Sequence, residues 1–178
     1  LFTVPAKYGP TRNLTATPGV HERNATWSPD GKWIAYVADV TGEDEIFIRP
    51  QDGVEAATQL TSGSDTYKYQ IAWSPDSKRL LWFDKKNRLQ FVEVASKQTT
   101  VVDQSPAWEI RDFTWSPDSQ WIAFTRPEER RFPNIYLYSI ESRQKIQVTD
   151  GWFDGGGPEF SSEGQLMFFG YDRTFNPN

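Results

Sequence analysis

Apolar residues in this chain form short runs, and polar segments separate one run from the next. Two of them, "WIAYVA" at 33–38 and "IYLYSI" at 135–140, place apolar or aromatic side chains on both faces of an extended strand. No segment sustains the 3.6-residue period of an amphipathic helix. The pattern therefore predicts an all-β protein whose strands are buried on both faces.

A ten-residue phrase recurs along the chain. It reads "WSPDGKWIAY" from Trp27, "WSPDSKRLLW" from Trp73 and "WSPDSQWIAF" from Trp115. A divergent fourth copy, "FSSEGQLMFF", begins at Phe160. These starting residues are 46, 42 and 45 positions apart. A period of roughly 40 to 50 residues is typical of repeat architectures. Each interval also holds a second apolar run and a short Thr/Gln/Val segment, so we predict four short strands per repeat, counting the residues that lead into the Trp.

The phrase itself predicts a tight turn. In Ser28-Pro29-Asp30-Gly31, proline presets the backbone of the second position, and serine and glycine are favoured at the first and fourth. The Asp30 carboxylate can accept hydrogen bonds from nearby backbone N–H groups. Ser77 and Ser119 stand where the first copy has glycine, and type I geometry tolerates that change. Each turn should join the strand that ends in Trp to the next strand.

Small antiparallel sheets buried on both faces need a neighbour on each side, and radial stacking of sheets supplies one. The aromatic content of 15% fits this packing, because large flat side chains fill the wedge between two sheets. We therefore expect a β-propeller built of four-stranded antiparallel blades.

The repeats divide the chain into about four blade equivalents of a single propeller segment, 1–178. These are a half repeat, three full repeats and a second half repeat: 1–26, 27–72, 73–114, 115–159 and 160–178. Two explanations remain open. Either the termini close a four-bladed ring, or the chain is part of a larger propeller. We prefer the second, because an open array needs neighbours to cover its end faces.

Composition narrows the range of partners. The chain carries 19 Lys and Arg against 24 Asp and Glu, a net charge of −5, which argues against nucleic acid as a general partner. It has no cysteine, so it can form neither disulfides nor thiolate metal sites. No run approaches the ~18 apolar residues of a membrane span. The compartment stays open: cytoplasmic, or periplasmic if a signal peptide has been removed.

Residues with catalytic chemistry are sparse. His21 is the only histidine, and no G-x-S-x-G elbow, phosphate loop or G-x-G-x-x-G motif is present. The acidic "GEDE" at 42–45 lacks the spacing of a calcium loop, and we interpret it as a solvated connection between strands. We predict no catalytic residue, metal site or cofactor in this chain.

A binding face follows from the propeller geometry, because the connections into the innermost strands crowd around the central channel. The residue four positions before each Trp, or before Phe160, is Arg23, Tyr69, Arg111 and Gly156 in turn. Guanidinium and phenol donors at one recurring position can bind a carboxylate. We therefore predict a peptide-binding site at the channel mouth, formed by Arg23, Tyr69 and Arg111.

A plainer interpretation stays open beside it. These side chains could pair with Glu22, Glu109 or Asp112 and line a water-filled channel. The aromatic residues of the same connections are ambiguous too: Trp108, Trp152 and Phe153 are either exposed anchors or packed against the next blade.

Longer stretches resemble a known family. "NLTATPGVHERNATWSPDGKWIAYVAD", "WSPDSKRLLWFDKKNRLQFVEV", "WSPDSQWIAFTRP" and the closing "YDRTFNPN" are similar to the propeller region of bacterial tricorn-type serine peptidases. The resemblance spans essentially the whole chain. The Trp-Ser-Pro-Asp-Gly phrase alone is shared with TolB and prolyl-oligopeptidase-like propellers. The segments "GVHERN" and "DKKNRL" are more specific to the tricorn type.

The resemblance implies a non-catalytic propeller part of a large peptidase that trims oligopeptides, serving substrate access or docking. Propellers of that family have six or seven blades and are joined to a PDZ-like module and a Ser/His-based catalytic part. Implied partners are oligopeptides and the remaining domains of the parent, which could also supply an oligomer. No stretch here matches the family's catalytic motifs. The alternative function is a TolB-like scaffold for protein interactions with no enzymatic role.

Overall fold

The computed structural model describes residues 1–172, and this part of the chain contains sixteen β-strands and no helix. Three four-stranded antiparallel sheets form its centre, and a two-stranded sheet lies at either end. The prediction of an all-β chain built of four-stranded antiparallel sheets is confirmed. The terminal phrase "YDRTFNPN" lies largely outside the described residues.

The strands pair in chain order within every sheet. The first pair is β1 (Phe2–Thr3) and β2 (Arg12–Asn13). The first four-stranded sheet contains β3 (Glu22–Trp27), β4 (Trp33–Ala38), β5 (Glu45–Pro50) and β6 (Thr58–Gln59). The second contains β7 (Lys68–Trp73), β8 (Arg79–Asp84), β9 (Arg88–Glu93) and β10 (Thr99–Gln104). The third contains β11 (Phe113–Trp115), β12 (Trp121–Arg126), β13 (Asn134–Ser139) and β14 (Lys145–Gln147), and the last pair is β15 (Asp154–Phe160) and β16 (Met167–Asp172).

Each four-stranded sheet begins with the strand that ends in a Trp. The sheets are therefore offset by one strand from repeats counted from the Trp. Antiparallel order places the connections between sheets at the same end of the strands as the hairpins between second and third strands. We call this the connection end, and it comprises 14–21, 39–44, 60–67, 85–87, 105–112, 127–133 and 148–153.

The Trp turn has the predicted hydrogen bonds. The Gly31 N–H donates to the Ser28 carbonyl at 2.9 Å, and the Ser28 hydroxyl donates to the Asp30 carboxylate at 2.6 Å. That hydroxyl bond and the Lys32 backbone N–H lower the pKa of Asp30. The fourth copy also forms the turn, because the Gly164 N–H donates to the Ser161 carbonyl at 2.8 Å.

The core lies between successive sheets. Trp73 packs with Val37 and Ile48 of the first sheet and with Leu80 of its own sheet. One repeat later, Trp115 joins a cluster that spans the second and third sheets. Each of these Trp residues thus covers the face of the preceding sheet.

The environments of Trp27 and of residues 42–45 depart from the regular repeat. Trp27, which occupies the same turn position as Trp73, is 52% exposed, since only the short pair β1–β2 precedes its sheet. The interpretation of 42–45 as a solvated connection is wrong for its second half, because Asp44 is 9% exposed and Glu45 only 2%. Glu45 accepts hydrogen bonds from the Thr61 hydroxyl at 2.5 Å and the Ser64 N–H at 2.7 Å.

Within residues 1–172 there is no helix with the length and apolar character that crossing a bilayer requires.

Candidate functional site

The three residues predicted to bind peptide lie at the connection end, where the innermost strand of each sheet begins. A register shift interrupts the pairing of β3 between Arg23 and Thr26, and that of β7 between Lys68 and Ile71. Such bulges re-aim side chains at the rim of a sheet. Arg111 lies two residues before β11.

Arg23 is mostly buried, with 13% of its side chain exposed, and its guanidinium has several partners. It forms an ion pair with Asp44 and donates to the Lys68 carbonyl at 3.3 Å. The guanidinium also lies over the Tyr67 ring, 4.0 Å from its centroid, in a cation–π contact. The structure therefore places Arg23 behind the surface, where it supports Tyr67.

Tyr69 and Arg111 converge on one carboxylate. The Tyr69 phenol donates to Glu109 Oε1 at 3.2 Å, and Arg111 Nη2 donates to Glu109 Oε2 at 3.0 Å. Burial and the bond to Glu109 raise the pKa of Tyr69. The Arg111 side chain remains 62% exposed, so most of its guanidinium faces solvent.

Tyr67 joins the two halves, because its ring lies 4.9 Å from the Tyr69 ring in an edge-on contact. A continuous series of contacts, which we call the arginine–tyrosine row, thus crosses the connection end through Asp44, Arg23, Tyr67, Tyr69, Glu109 and Arg111. Sequence reasoning did not single out Tyr67 or Asp44. The two-residue spacing of Tyr67 and Tyr69 at the start of a strand was a usable signal, since it places both rings on one face.

The pairings expected from the plainer interpretation form only in part. Arg111 does pair with Glu109, but Arg23 pairs with Asp44 and not with Glu22. Asp112 instead accepts hydrogen bonds from the Thr125 hydroxyl and the Gly157 N–H, which ties the third sheet to the last pair of strands. Gly156, at the fourth recurring position, contributes no side chain to the row.

The aromatic residues of the connections divide into two groups. Trp108 is 63% exposed and Trp152 75% exposed, so both are surface residues at the connection end. Phe153 instead packs edge-on against Tyr171, with ring centroids 5.5 Å apart. Across residues 1–172 the structure holds no group of three or more His, Cys, Asp or Glu side chains arranged for a metal ion.

The row can bind a ligand through charge and hydrogen bonds. Arg111 uses one of the five N–H donors of a guanidinium on Glu109. The remaining N–H donors of Arg111 and the ring of Tyr67 are both accessible to a ligand in solution, since Tyr67 is 43% exposed. Such a surface suits a carboxylate or peptide carbonyl next to an apolar side chain.

Comparison with known proteins places these features in a family. The family described as tricorn protease second beta propeller domain matches residues 1–178. Tricorn protease homolog 1 of Streptomyces coelicolor is 29% identical over 174 residues, covering 95% of this chain and 16% of that protein. The tricorn protease homolog of Saccharolobus solfataricus is 26% identical over 169 residues, covering 95% and 15%. The chain thus spans about a sixth of the length of these relatives.

Solved structures agree on the fold. A crystal structure of the tricorn protease superposes with a TM-score of 0.75 at 18% identity, covering 83% of this chain and 15% of that one. TolB from Acinetobacter baumannii gives a TM-score of 0.59 at 21% identity, covering 84% and 37%. Fold and sequence lead to one conclusion: the chain belongs to the family of the tricorn protease second beta propeller domain.

Proposed function

We propose that this chain is a non-catalytic propeller part of a tricorn-like peptidase and that its connection end guides oligopeptides to the rest of the parent protein. The family match over residues 1–178 is the observation that carries the proposal. Its partners would be oligopeptide substrates and the other domains of the parent.

The arginine–tyrosine row supports a docking role at this end. Its members differ in how they would act. Arg111 and Tyr67 are exposed enough to contact a peptide, whereas Arg23 is enclosed and would hold Tyr67 in position. Tyr69 would orient Glu109 and, through it, Arg111.

Calorimetric titration of the chain with oligopeptides tests the docking role. We expect Arg111→Ala to weaken binding by about 10- to 150-fold, since a hydrogen bond to a charged group contributes about 1.5–3 kcal/mol. Arg143→Ala serves as the matched control, because Arg143 is an exposed arginine in the 140–144 hairpin at the opposite end of the strands. Equal affinities for wild type and Arg111→Ala would remove the row from the proposal.

The access role requires the parent protein. Arg111→Glu in the parent should lower kcat/KM for a long oligopeptide and leave a short reporter substrate unchanged, because only the long chain would reach the connection end. A parent without peptidase activity would instead favour the TolB-like scaffold.

A further inference from the structure

The third sheet carries a long hairpin at the connection end. It comprises 127–133 and is longer than the corresponding hairpins of the first and second sheets. Its base is fixed, because the Glu128 carboxylate accepts hydrogen bonds from the Arg126 guanidinium at 2.6 and 2.8 Å. All four residues of its tip, 129–132, are exposed. The hairpin therefore extends its tip into solvent from a fixed base.

The turn Asp150-Gly151-Trp152 lies beside this tip, in the connection that follows β14. Asp150 Oδ1 accepts the Trp152 N–H at 3.2 Å and the Tyr171 hydroxyl at 2.6 Å. Gly151 has a φ of 73°, and a Cβ at this position would lie 2.9 Å from Asn134 Nδ2. The turn thus packs closely on the sheet at its glycine. The next side chain, Trp152, is directed outward and is 75% exposed.

An open cavity of about 600 Å³ lies between the tip and the turn, and residues of both line it. Two of its lining residues are aromatic, Phe132 with 49% of its surface exposed and Trp152 with 75%. Exposed apolar side chains that share a concave surface are typical of binding sites. Because both residues line the cavity and are accessible to water, a ligand in the cavity can contact them directly.

Arg130 and Arg131 bring positive charge to the same cavity. Both are exposed, and neither forms an ion pair with a carboxylate in residues 1–172. The tip holds these two guanidiniums against one carboxylate, that of Glu129, although the whole chain has a net charge of −5. The Asp150 carboxylate also lines the cavity, but its Oδ1 is held within its own turn and by Tyr171. The two guanidiniums can therefore bind an anionic group.

An aromatic ring fits this lining better than an aliphatic group does. It can stack on the exposed rings of Phe132 and Trp152, and aromatic pairs gain affinity beyond the area that they bury. Guanidinium groups also bind the faces of aromatic rings, as Arg23 does with Tyr67 in this chain. A carboxylate next to the bound ring would form charge-assisted hydrogen bonds with a free guanidinium.

We propose that this cavity binds an aromatic side chain of an extended peptide whose neighbouring residue is acidic. The ring contacts Phe132 and Trp152, and the carboxylate binds Arg130 or Arg131. The proposal rests on the docking function proposed above and adds the residue types that the connection end selects. Arg111 lies in another connection, 105–112, so the cavity and the arginine–tyrosine row can be tested separately.

Capped tetrapeptides test the proposal, because they carry no terminal charges. The probe is acetyl-Gly-Tyr-Asp-Gly-amide. Acetyl-Gly-Leu-Asp-Gly-amide lacks the ring, and acetyl-Gly-Tyr-Asn-Gly-amide lacks the charge. In calorimetric titrations we expect the Tyr-Asp peptide to bind about tenfold more tightly than the Leu-Asp peptide. It should bind about two- to fivefold more tightly than the Tyr-Asn peptide, since exposed ion pairs contribute little.

Variants of the cavity should remove each preference separately. Trp152→Ala should abolish the preference for Tyr over Leu and keep the preference for Asp over Asn. Arg130→Gln combined with Arg131→Gln should do the reverse. Glu129→Gln should strengthen binding of the Tyr-Asp peptide by about twofold, because it removes a negative charge from the tip.

Matched controls lie elsewhere on the surface. Trp108→Ala removes another exposed tryptophan of the connection end, and Arg143→Gln removes an exposed arginine at the opposite end of the strands. Both should keep the two preferences. Trp152, Arg130 and Arg131 are exposed, so their variants should fold like the wild type.

Three results would overturn the proposal. The first is equal affinity of the wild type for all three peptides, and the second is a preference for Tyr that persists in Trp152→Ala. The third is binding that falls in Arg111→Ala but not in Trp152→Ala, which would leave docking through the arginine–tyrosine row intact. If the capped peptides do not bind while other oligopeptides do, the cavity is again removed and the docking function stands.

Discussion

Ser77 and Ser119, at the fourth position of their Trp turns, adopt a left-handed backbone with φ of 59° and 61°. Glycine adopts this conformation without steric cost, as Gly31 does in the first repeat. The hydroxyls explain the serines. Ser77 Oγ accepts the N–H of Asp30 at 3.1 Å, and Ser119 Oγ accepts that of Asp76 at 3.0 Å, each in the preceding sheet. One side chain thus links two successive turns.

Two substitutions of Ser119 should distinguish the contribution of its hydrogen bond from the cost of its left-handed backbone. Ser119→Ala loses the bond and keeps the left-handed backbone, so we expect a loss of about 1–3 kcal/mol in the free energy of unfolding. Ser119→Gly loses the same bond but relieves the backbone, and should cost less. Urea unfolding measures both, with the exposed Ser142→Ala as control. A glycine variant less stable than the alanine variant would contradict this account.

At the scale of elements, the connection 60–67 is strapped to the hairpin between β8 and β9. The Asp65 carboxylate bonds Lys86 and Arg88, and these hydrogen bonds lower its pKa to about 2. Asp84, which is buried, also accepts bonds from Arg88 and Gln90. The hairpin is therefore held against the connection by these bonds.

This strap gives a pH dependence with a defined sign. The folded-state pKa of Asp65 lies below its ordinary value of 3.8, so its contribution to stability is present above pH 3.8 and is lost as the pH falls toward 2. Asp65→Asn should therefore lower the urea midpoint at pH 6, and the difference from wild type should shrink toward pH 2. The exposed Glu55→Gln serves as the charge-matched control. A difference that stays constant with pH would contradict the strap.

At the scale of the whole molecule, sheets are held mainly by the residues that cover the preceding sheet. Trp73 is 7% exposed, and its indole N–H donates to the Thr26 carbonyl of the first sheet at 3.3 Å. Trp27 holds the same turn position and is 52% exposed. Trp73 and Trp27 therefore occupy equivalent positions and differ in the sheet that precedes them.

Trp73→Ala should lower the free energy of unfolding by about 3–5 kcal/mol, since it empties a packed core position. Trp27→Ala should cost at most about 2 kcal/mol, because half of its surface is already in water. Urea unfolding of the two variants provides the test. Similar losses for both would mean that the packing between sheets does not determine their stability.

Local pattern was enough for the parts of this protein that depend on local chemistry. The Ser-Pro-Asp turns, the strands on either side of them and the repeat of four strands follow from turn preferences and from apolar runs. These signals also led to Arg23, Tyr69 and Arg111 as a recurring position at one end of the sheets.

Only the tertiary structure decided how those residues are used, because burial and pairing depend on the neighbouring sheet. It turned Trp27 toward solvent, buried Asp44 and Glu45, and placed Arg23 behind Tyr67. It also brought Phe132 and Trp152 to one cavity, although they lie in different connections. A sequence states the polarity of each residue, whereas the cost of burying it is set by partners that packing brings from elsewhere in the chain.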